Sequence, residues 1–244
     1  MKVIAIYNHK GGNGKTVTTV NLAYNLTERG YKVLVIDMDP QGNASAFFKK
    51  YDLTKPSVSD LLMGRKYPSR CVRRTKFKGL DIVPANVGLR DVSPEELIGG
   101  VETLKNACWA LSGKYDFCII DCPASIDYRI EIVMAAADDV IIPMKPDAFS
   151  ADGLSTVRDL IDEFTHGSVN VGCLFTWFVK NKDTVRIVND ILGKESIKVY
   201  ANVIRRNSAV DHSILVKRPL ARCATKASAT QDYRDFTREY LGEE

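Results

Sequence analysis

The sequence predicts an α/β fold, a doubly wound, mostly parallel sheet flanked by helices. Three features predict it. Short, continuously apolar runs alternate with longer runs of helical spacing; a glycine-rich loop stands between the first strand and the first helix; and acids close two later apolar runs. Runs apolar at every position belong to strands covered by helices on both faces.

Residues 3–7 form the first strand and lead into the loop Lys10 to Thr16. Val17, Val20, Ala23, Tyr24 and Thr27 then recur at the spacing of a helix lying on a sheet, with Gly30 as its C-terminal cap. Residues 32–37 make a second strand, which ends in Asp37-Met38-Asp39 before a Pro-Gln-Gly turn. Further strands are expected over 80–84, 117–121, 140–143, 171–178 and 198–204, and helices over 57–63, 151–164, 183–192 and 229–241. No linker divides the chain, so residues 1–244 read as one domain with an irregular basic segment at about 51–79. Periodicity does not fix the order of the strands.

Composition narrows the function classes. The 244 residues are 45% hydrophobic, enough for a large core. Lys and Arg number 34 against 30 Asp and Glu, and a formal charge of +4 permits nucleic-acid contact without arguing for it. Charge placement says more: Arg65, Lys66, Arg70, Arg73, Arg74, Lys76 and Lys78 follow one another with no acid between them. Two readings of that segment stand, a solvated loop and hairpin beside the sheet, or a contact surface for DNA or an acidic partner. Cys71, Cys108, Cys118, Cys122, Cys173 and Cys223 form no close CxxC pair or Cys/His cluster, so they read as reduced, mostly buried thiols. No apolar run approaches about 18 residues and the chain starts directly with a strand. Neither signal peptide nor spanning helix is therefore expected, and a cytoplasmic location follows.

Three loops at strand ends carry the chemistry, where an open α/β sheet places its ligand crevice. The first is Lys10-Gly11-Gly12-Asn13-Gly14-Lys15-Thr16, followed by Val17. Its glycines let the backbone bend so that N–H groups approach phosphate oxygens, and the helix N-terminus adds a favourable dipole. Lys15 reaches the terminal phosphates and Thr16 offers a hydroxyl to Mg2+. The second loop holds Asp37 and Asp39, spaced so that both face one crevice while Met38 turns away. One acid holds a water of the magnesium shell and the other orients the attacking water. Asp39, farther along the loop, is preferred for the water and Asp37 for the metal; a turn or helix cap is the alternative for either. The third loop follows residues 117–121, where a strand apolar on both faces ends in Asp121, the form of a Walker B aspartate that secures magnesium through water. The reaction so described is hydrolysis of the β–γ phosphoanhydride bond. Lys10, which an ordinary Walker A sequence does not require, adds most if it reaches the phosphates across a subunit interface; otherwise it faces solvent.

These motifs resemble the ParA/Soj group of DNA-partition ATPases, within the larger family that includes MinD and nitrogenase iron protein. KGGNGKT at 10–16 matches the deviant Walker A motif, with Lys10 at the signature-lysine position. DMDPQGNAS at 37–45, DCPAS at 121–125, IVPAN at 82–86 and ADDVIIPMKPDAFSADGL at 137–154 extend the likeness, which thins at 51–79 and after Ser155. The resemblance implies a deviant P-loop NTPase fold and a homodimer formed on ATP and Mg2+, with Lys10 of each subunit reaching the other's nucleotide. It gives Lys15 the ordinary P-loop role, Thr16 and Asp121 the magnesium roles and Asp39 the hydrolytic water. It also implies binding of nonspecific double-stranded DNA in the ATP state, association with the nucleoid, and release when a ParB-like centromere-binding protein stimulates hydrolysis. VIRRNSAVDHSILVKRPL at 203–220 resembles the segment after the last core strand, making Arg205, Arg206, Lys217 and Arg218 the DNA candidates. Arg205 stands where the family commonly has proline, and Asp211-His212-Ser213 where an acidic, alanine-rich string is common.

Two other function classes remain as alternatives. A MinD-like membrane ATPase shares the nucleotide chemistry but usually ends in a basic amphipathic helix. Here Glu239, Glu243 and Glu244 oppose an anionic bilayer, and Tyr233, Phe236, Tyr240 and Leu241 suit a helix packed on its own domain. A DNA-bound scaffold or regulator would use ATP as a switch with little turnover. The cysteine contexts disfavour an iron–sulfur redox protein, and no lid or acceptor domain favours a metabolic kinase. With no segment ahead of Met1, no appended helix-turn-helix domain is expected, and contacts to the DNA backbone are preferred over base reading. Trp177 and Phe178 either cover the base or pack at a strand end; His212 has no catalytic role.

Overall fold

Val3, Ala5 and Tyr7 face one apolar core and Ile4 and Ile6 the other, which is why the first strand is apolar throughout. The same alternation divides Leu34 and Ile36 from Val33 and Val35 in the second. The computed structural model describes residues 1–147, 150–194 and 197–243. Ala148 and Phe149, within the stretch 137–154 that resembles the partition family, lie outside the described residues.

In chain order the elements are β1 (Lys2–Ile6), α1 (Lys15–Glu28), β2 (Val33–Asp37), α2 (Asn43–Phe47), α3 (Val58–Leu62), α4 (Pro68–Cys71), β3 (Arg73–Arg74) and β4 (Leu80–Val83). There follow α5 (Thr103–Leu111), β5 (Phe117–Asp121), α6 (Tyr128–Ala136), β6 (Asp139–Met144), α7 (Ser150–Thr165), β7 (Asn170–Phe175) and α8 (Lys182–Lys194). The chain closes with β8 (Lys198–Val199), α9 (Ser208–Val216), α10 (Leu220–Cys223) and α11 (Ser228–Leu241). The eight strands form one sheet in the order β3-β4-β2-β5-β1-β6-β7-β8, parallel except at the edge pair β3–β4. The doubly wound, mostly parallel sheet is thus present.

Strand order decides where the chemistry lies. β5 sits between β2 and β1, with Asp121 in register with Asp37 on one side and Ile6 on the other. The loop after β1 and the acids ending β2 and β5 therefore open side by side at one edge of the sheet.

Two expected strands are shorter than the sequence predicts. β7 ends at Phe175 rather than 178 because Trp177 adopts a left-handed backbone, φ 54°, which turns the chain out of the ladder. The strand expected over 198–204 is the two-residue β8, because the N–H groups of Ala201 and Asn202 donate to the Glu239 carboxylate of α11, at 2.6 and 2.9 Å. A parallel bridge between Phe178 and Arg205 resumes the pairing beyond the gap. The basic segment contains the expected hairpin, β3–β4, and α3 with Ser57 and Asp60 as a capping box.

The C-terminal helix packs on its own domain, as Tyr233 and Phe236 predict. Both are buried, Thr18 and Tyr233 share a hydroxyl hydrogen bond at 3.2 Å, and the Phe236 ring meets Tyr200 edge to face at 4.9 Å. No helix among the described residues is long and apolar enough to cross a membrane. Phe236→Ala is expected to lower the unfolding free energy by roughly 3–5 kcal/mol, since it empties a fully buried site between α11 and the sheet. A urea titration followed by circular dichroism checks this; a loss under about 1 kcal/mol would place α11 outside the cooperative core.

Candidate active site

Gly12 and Gly14 have φ of 76° and 86°, the left-handed region that a β-carbon disfavours, so the loop after β1 needs glycine at these positions. Gly14 is the N-cap of α1, and the helix ladder starts with Thr18 N donating to its carbonyl at 2.8 Å. Asn8 straps the front of the loop. Its Nδ2 donates to the Pro143 carbonyl of β6 at 2.9 Å, and its Oδ1 accepts from Lys10 N at 2.9 Å. Thr176 Oγ1 donates to the Asn13 carbonyl at 3.0 Å and ties the back of the loop to the end of β7.

Inside this frame the Lys15 ammonium donates to the carbonyls of Asn8 at 2.9 Å and Lys10 at 3.1 Å. Burial holds its pKa below the ordinary lysine value, opposed by the charges of Asp121, Cys122 and Asp39. Lys10 lies along its own chain: its Nζ is 2.8 Å from where a β-carbon would stand on Gly153 of α7. Burial, and then the charges of Lys10 and Lys15, hold the pKa of His9 beside it below the ordinary imidazole value.

The carboxylates face the loop from the neighbouring strands. Asp121 accepts from Thr16 Oγ1 at 2.8 Å and Thr19 Oγ1 at 2.9 Å. Asp37 accepts from Ser45 Oγ at 2.6 Å, Ser45 N at 2.8 Å and Asp39 N at 3.1 Å. Both acids are fully buried, and burial pushes their pKa values up; the charge of Asp37 adds to the effect on Asp121, while the hydroxyl and amide donors oppose it. Asp39 is half-buried and accepts from Gln41 N at 2.9 Å. Paired buried carboxylates flanked by threonine hydroxyls fit a small, hard, oxygen-seeking dication. Thr16, Asp37 and Asp121 are thus brought together with Lys15, and Asp39 stands at their open side.

A cavity of about 150 Å³ adjoins the loop, lined among others by Gly14, Val17, Trp177, Arg206, Asp211 and Tyr233. Two cations approach the Trp177 ring, with Lys145 Nζ 4.6 Å and Arg206 Cζ 5.5 Å from its centroid.

The four DNA candidates do not form one patch. Arg205 is engaged by the buried Asp232 of α11, its Nε donating to both carboxylate oxygens at 3.0 Å, and Arg206 is stacked on Trp177. Lys217 and Arg218 lie beyond α9, whose nine residues span about 13 Å.

Sequence reasoning passed over Asn8, Thr19, Ser45 and Lys145 as working residues. Thr19 had a signal, since it stands three residues after Thr16 on the same helix face. Ser45 stands eight residues after Asp37, and only the turn through Gly42, with φ 64°, brings its hydroxyl back to that acid. The roles of Asn8 and Thr176 depend on contacts with distant residues, which no local pattern shows.

The AAA domain family matches residues 1–171. The chain is 31% identical to the chromosome partitioning protein ParA of Caulobacter vibrioides, over 100% of this chain and 95% of that protein. It is also 31% identical to the sporulation initiation inhibitor protein Soj of Bacillus subtilis, over 98% of this chain and 97% of that one. Among solved structures, cobyrinic acid a,c-diamide synthase from Mycobacterium smegmatis, with bound ATP analog and magnesium, is similar at a TM-score of 0.87 and 28% identity, over 99% of this chain and 94% of that one. The cell division ATPase MinD of Pyrococcus furiosus shares the fold at a TM-score of 0.82 and 21% identity, over 99% and 98% of the two chains.

The raised carboxyls make a pH prediction. Asp121 titrates from the ordinary 3.8 up to about 8 in the folded chain, so between those values the ligand-free folded state holds more protons than the unfolded one. Stability contributed by this group is present below pH 3.8 and is lost as pH rises toward about 8. The thermal midpoint of the ligand-free protein is expected to fall from about pH 5 to about pH 8, and Asp121→Asn to flatten that decline. Equal slopes in the two proteins would show that Asp121 does not retain its proton.

Proposed function

The chain belongs to the ParA/Soj family of P-loop ATPases, and from that membership and the site's geometry we propose that it is a Mg2+-dependent DNA-partition ATPase that dimerises on ATP. The observation that carries this reading is the placing of Lys15 and Thr16, at the N-terminus of α1, against a buried Asp121 whose carboxylate has no cation partner among the described residues. That is a seat for a metal-bound triphosphate.

In this reading the N–H groups of residues 11–17 cradle the phosphates, and Lys15 exchanges its two loop carbonyls for phosphate oxygens. Thr16, Asp37 and Asp121 hold Mg2+, which supplies charge neutralisation at the β- and γ-phosphates when bound. Asp39, at the open side, orients the attacking water. Lys10 leaves α7 and reaches the nucleotide of the other protomer, adding positive charge to the transferred phosphoryl group. The cavity beside Gly14 and Val17 receives the base, with Trp177 at its lip.

The ATP-bound homodimer binds nonspecific double-stranded DNA, placing the protein in the cytoplasm on the nucleoid. A ParB-like centromere-binding protein stimulates hydrolysis and releases it. The relative from Caulobacter vibrioides, named a chromosome partitioning protein, supports the partition role. Burial of Tyr233 and Phe236 against the domain supports DNA rather than a bilayer as the bound surface.

Molecular mass and duplex binding measured with ADP, ATP and a slowly hydrolysed ATP analogue test the cycle. Dimers and binding to unrelated duplexes are expected with ATP and the analogue only; binding that ignores the nucleotide would indicate a regulator instead. Lys10→Ala is expected to lower DNA- and partner-stimulated turnover by roughly 10²–10³-fold while nucleotide affinity changes little. Unchanged turnover in that variant rules out a trans role for the lysine.

A further inference from the structure

Two basic segments distant in sequence meet on one surface. Lys76, in the turn after β3, donates from Nζ to the Lys217 carbonyl at 3.3 Å, joining residues 141 apart. Lys217 ends α9 in a left-handed conformation, φ 53°, which turns Arg218 and α10 toward the hairpin. Lys76 and Arg222 line one groove, and burial, then the charges of Arg218, Lys49 and Arg222, hold the Lys76 pKa below the ordinary lysine value. None of these five cations makes an ion pair with a carboxylate among the described residues. Like charges gathered without counter-charge cost stability in the free protein and favour a polyanion that relieves them.

The surface stands on a firm base. Phe77 packs edge to face on Tyr24 of α1 at 5.2 Å and on Phe48 at 6.2 Å, fixing the hairpin against α1 and the end of α2. Beside it runs a groove of about 1140 Å³ lined by Lys32, Arg74, Lys78 and Lys114 and by two acids, Glu28, which pairs with Arg234 at 3.8 Å, and Asp81, which accepts from the Tyr115 hydroxyl at 2.9 Å. The turn precedes Leu80, the first residue of β4, so the surface lies at the edge of the sheet away from the phosphate loop.

The geometry points to a composite site for the sugar–phosphate backbone of duplex DNA, formed by Lys49, Lys76 and Arg222 together with Lys217 and Arg218 and continued along the groove. This inference rests on the DNA-binding reading above and deepens it: the duplex is held by the β3–β4 hairpin as well as by the turn after α9. Lysines and arginines that outnumber the acids along a turn and an open groove suit phosphates of any sequence.

The test uses the full chain with a slowly hydrolysed ATP analogue and Mg2+, and fluorescein-labelled duplexes of unrelated sequence, over a series of potassium chloride concentrations. Lys49→Gln/Lys76→Gln/Arg222→Gln is expected to weaken binding by about tenfold or more on every duplex. The log–log salt slope should become shallower by about two to three, near one for each phosphate that the variant no longer neutralises. Basal ATP turnover should stay unchanged, the thermal midpoint should hold or rise as the like charges are removed, and Lys105→Gln/Lys198→Gln, which removes charge elsewhere, should leave affinity within about twofold. If the wild type binds DNA and the triple variant matches it in affinity and slope, the composite surface is wrong while DNA binding stands. If the wild type binds no duplex, both fall. Phosphatidylglycerol vesicles provide the remaining arm: a triple variant that loses vesicle binding but keeps DNA binding assigns the surface to a lipid headgroup and overturns the inference.

Discussion

Two carboxylates buried side by side at the ends of adjacent strands are the constraint to which the rest of the site answers. Asp37 and Asp121 are in register on β2 and β5 and are fully excluded from water. Left alone, such a pair is held together only by taking up protons or by gathering donors. The chain supplies three donor hydroxyls from two helices: Thr16 and Thr19 from α1, and Ser45 from α2. Each donor hydroxyl ties a helix to the sheet, so the acids that make the crevice polar also fix the helices around it.

The phosphate loop shows the same economy. Lys15 is not extended into the crevice; its ammonium is satisfied by the carbonyls of Asn8 and Lys10, and Asn8 is itself anchored to β6 through Pro143. A cation already surrounded by oxygen acceptors loses little when it exchanges them for phosphate oxygens, and a loop already strapped at both ends needs little ordering on binding. Thr176 supplies the second strap from β7, so the loop is braced by strands that lie beyond β1 on the side away from the acids.

Much of this was legible in the residues. Continuous apolar runs gave the strands, and the spacing of glycines, Lys15 and Thr16 between a strand and a helix gave the phosphate site, because both depend on local backbone geometry. Asp121 was legible because an acid ending a doubly covered strand has little purpose apart from the crevice. The order of the strands was not, since pairing partners are set by packing between distant segments. The strand expected over 198–204 failed for a related reason: Val199, Tyr200, Val203 and Ile204 have the β-branched and aromatic character of a strand, but a carboxylate from α11 takes the N–H groups of Ala201 and Asn202 between them. Arg205 is exposed as a surface cation, but its pairing with Asp232 was not legible because that partner lies 27 residues later in the chain.

Helix α9 gives the two surfaces of the molecule a common member. Its first turn borders the cavity beside Gly14, with Ser208, Val210 and Asp211 in the lining, and its last residue leads directly into Lys217. That first turn is held by Asn207, which caps the helix and donates to Ser228 of α11, while α11 is joined to α1 through Tyr233 and Thr18. A nucleotide that shifts the first turns of α1 therefore bears on α9 through packed and hydrogen-bonded neighbours, and displacement of a rigid helix at one end moves its other end. Coupling by this route requires that the two nucleotide states differ in their contacts at the cavity, where Arg206 lies over the ring of Trp177, a residue held in the left-handed backbone region.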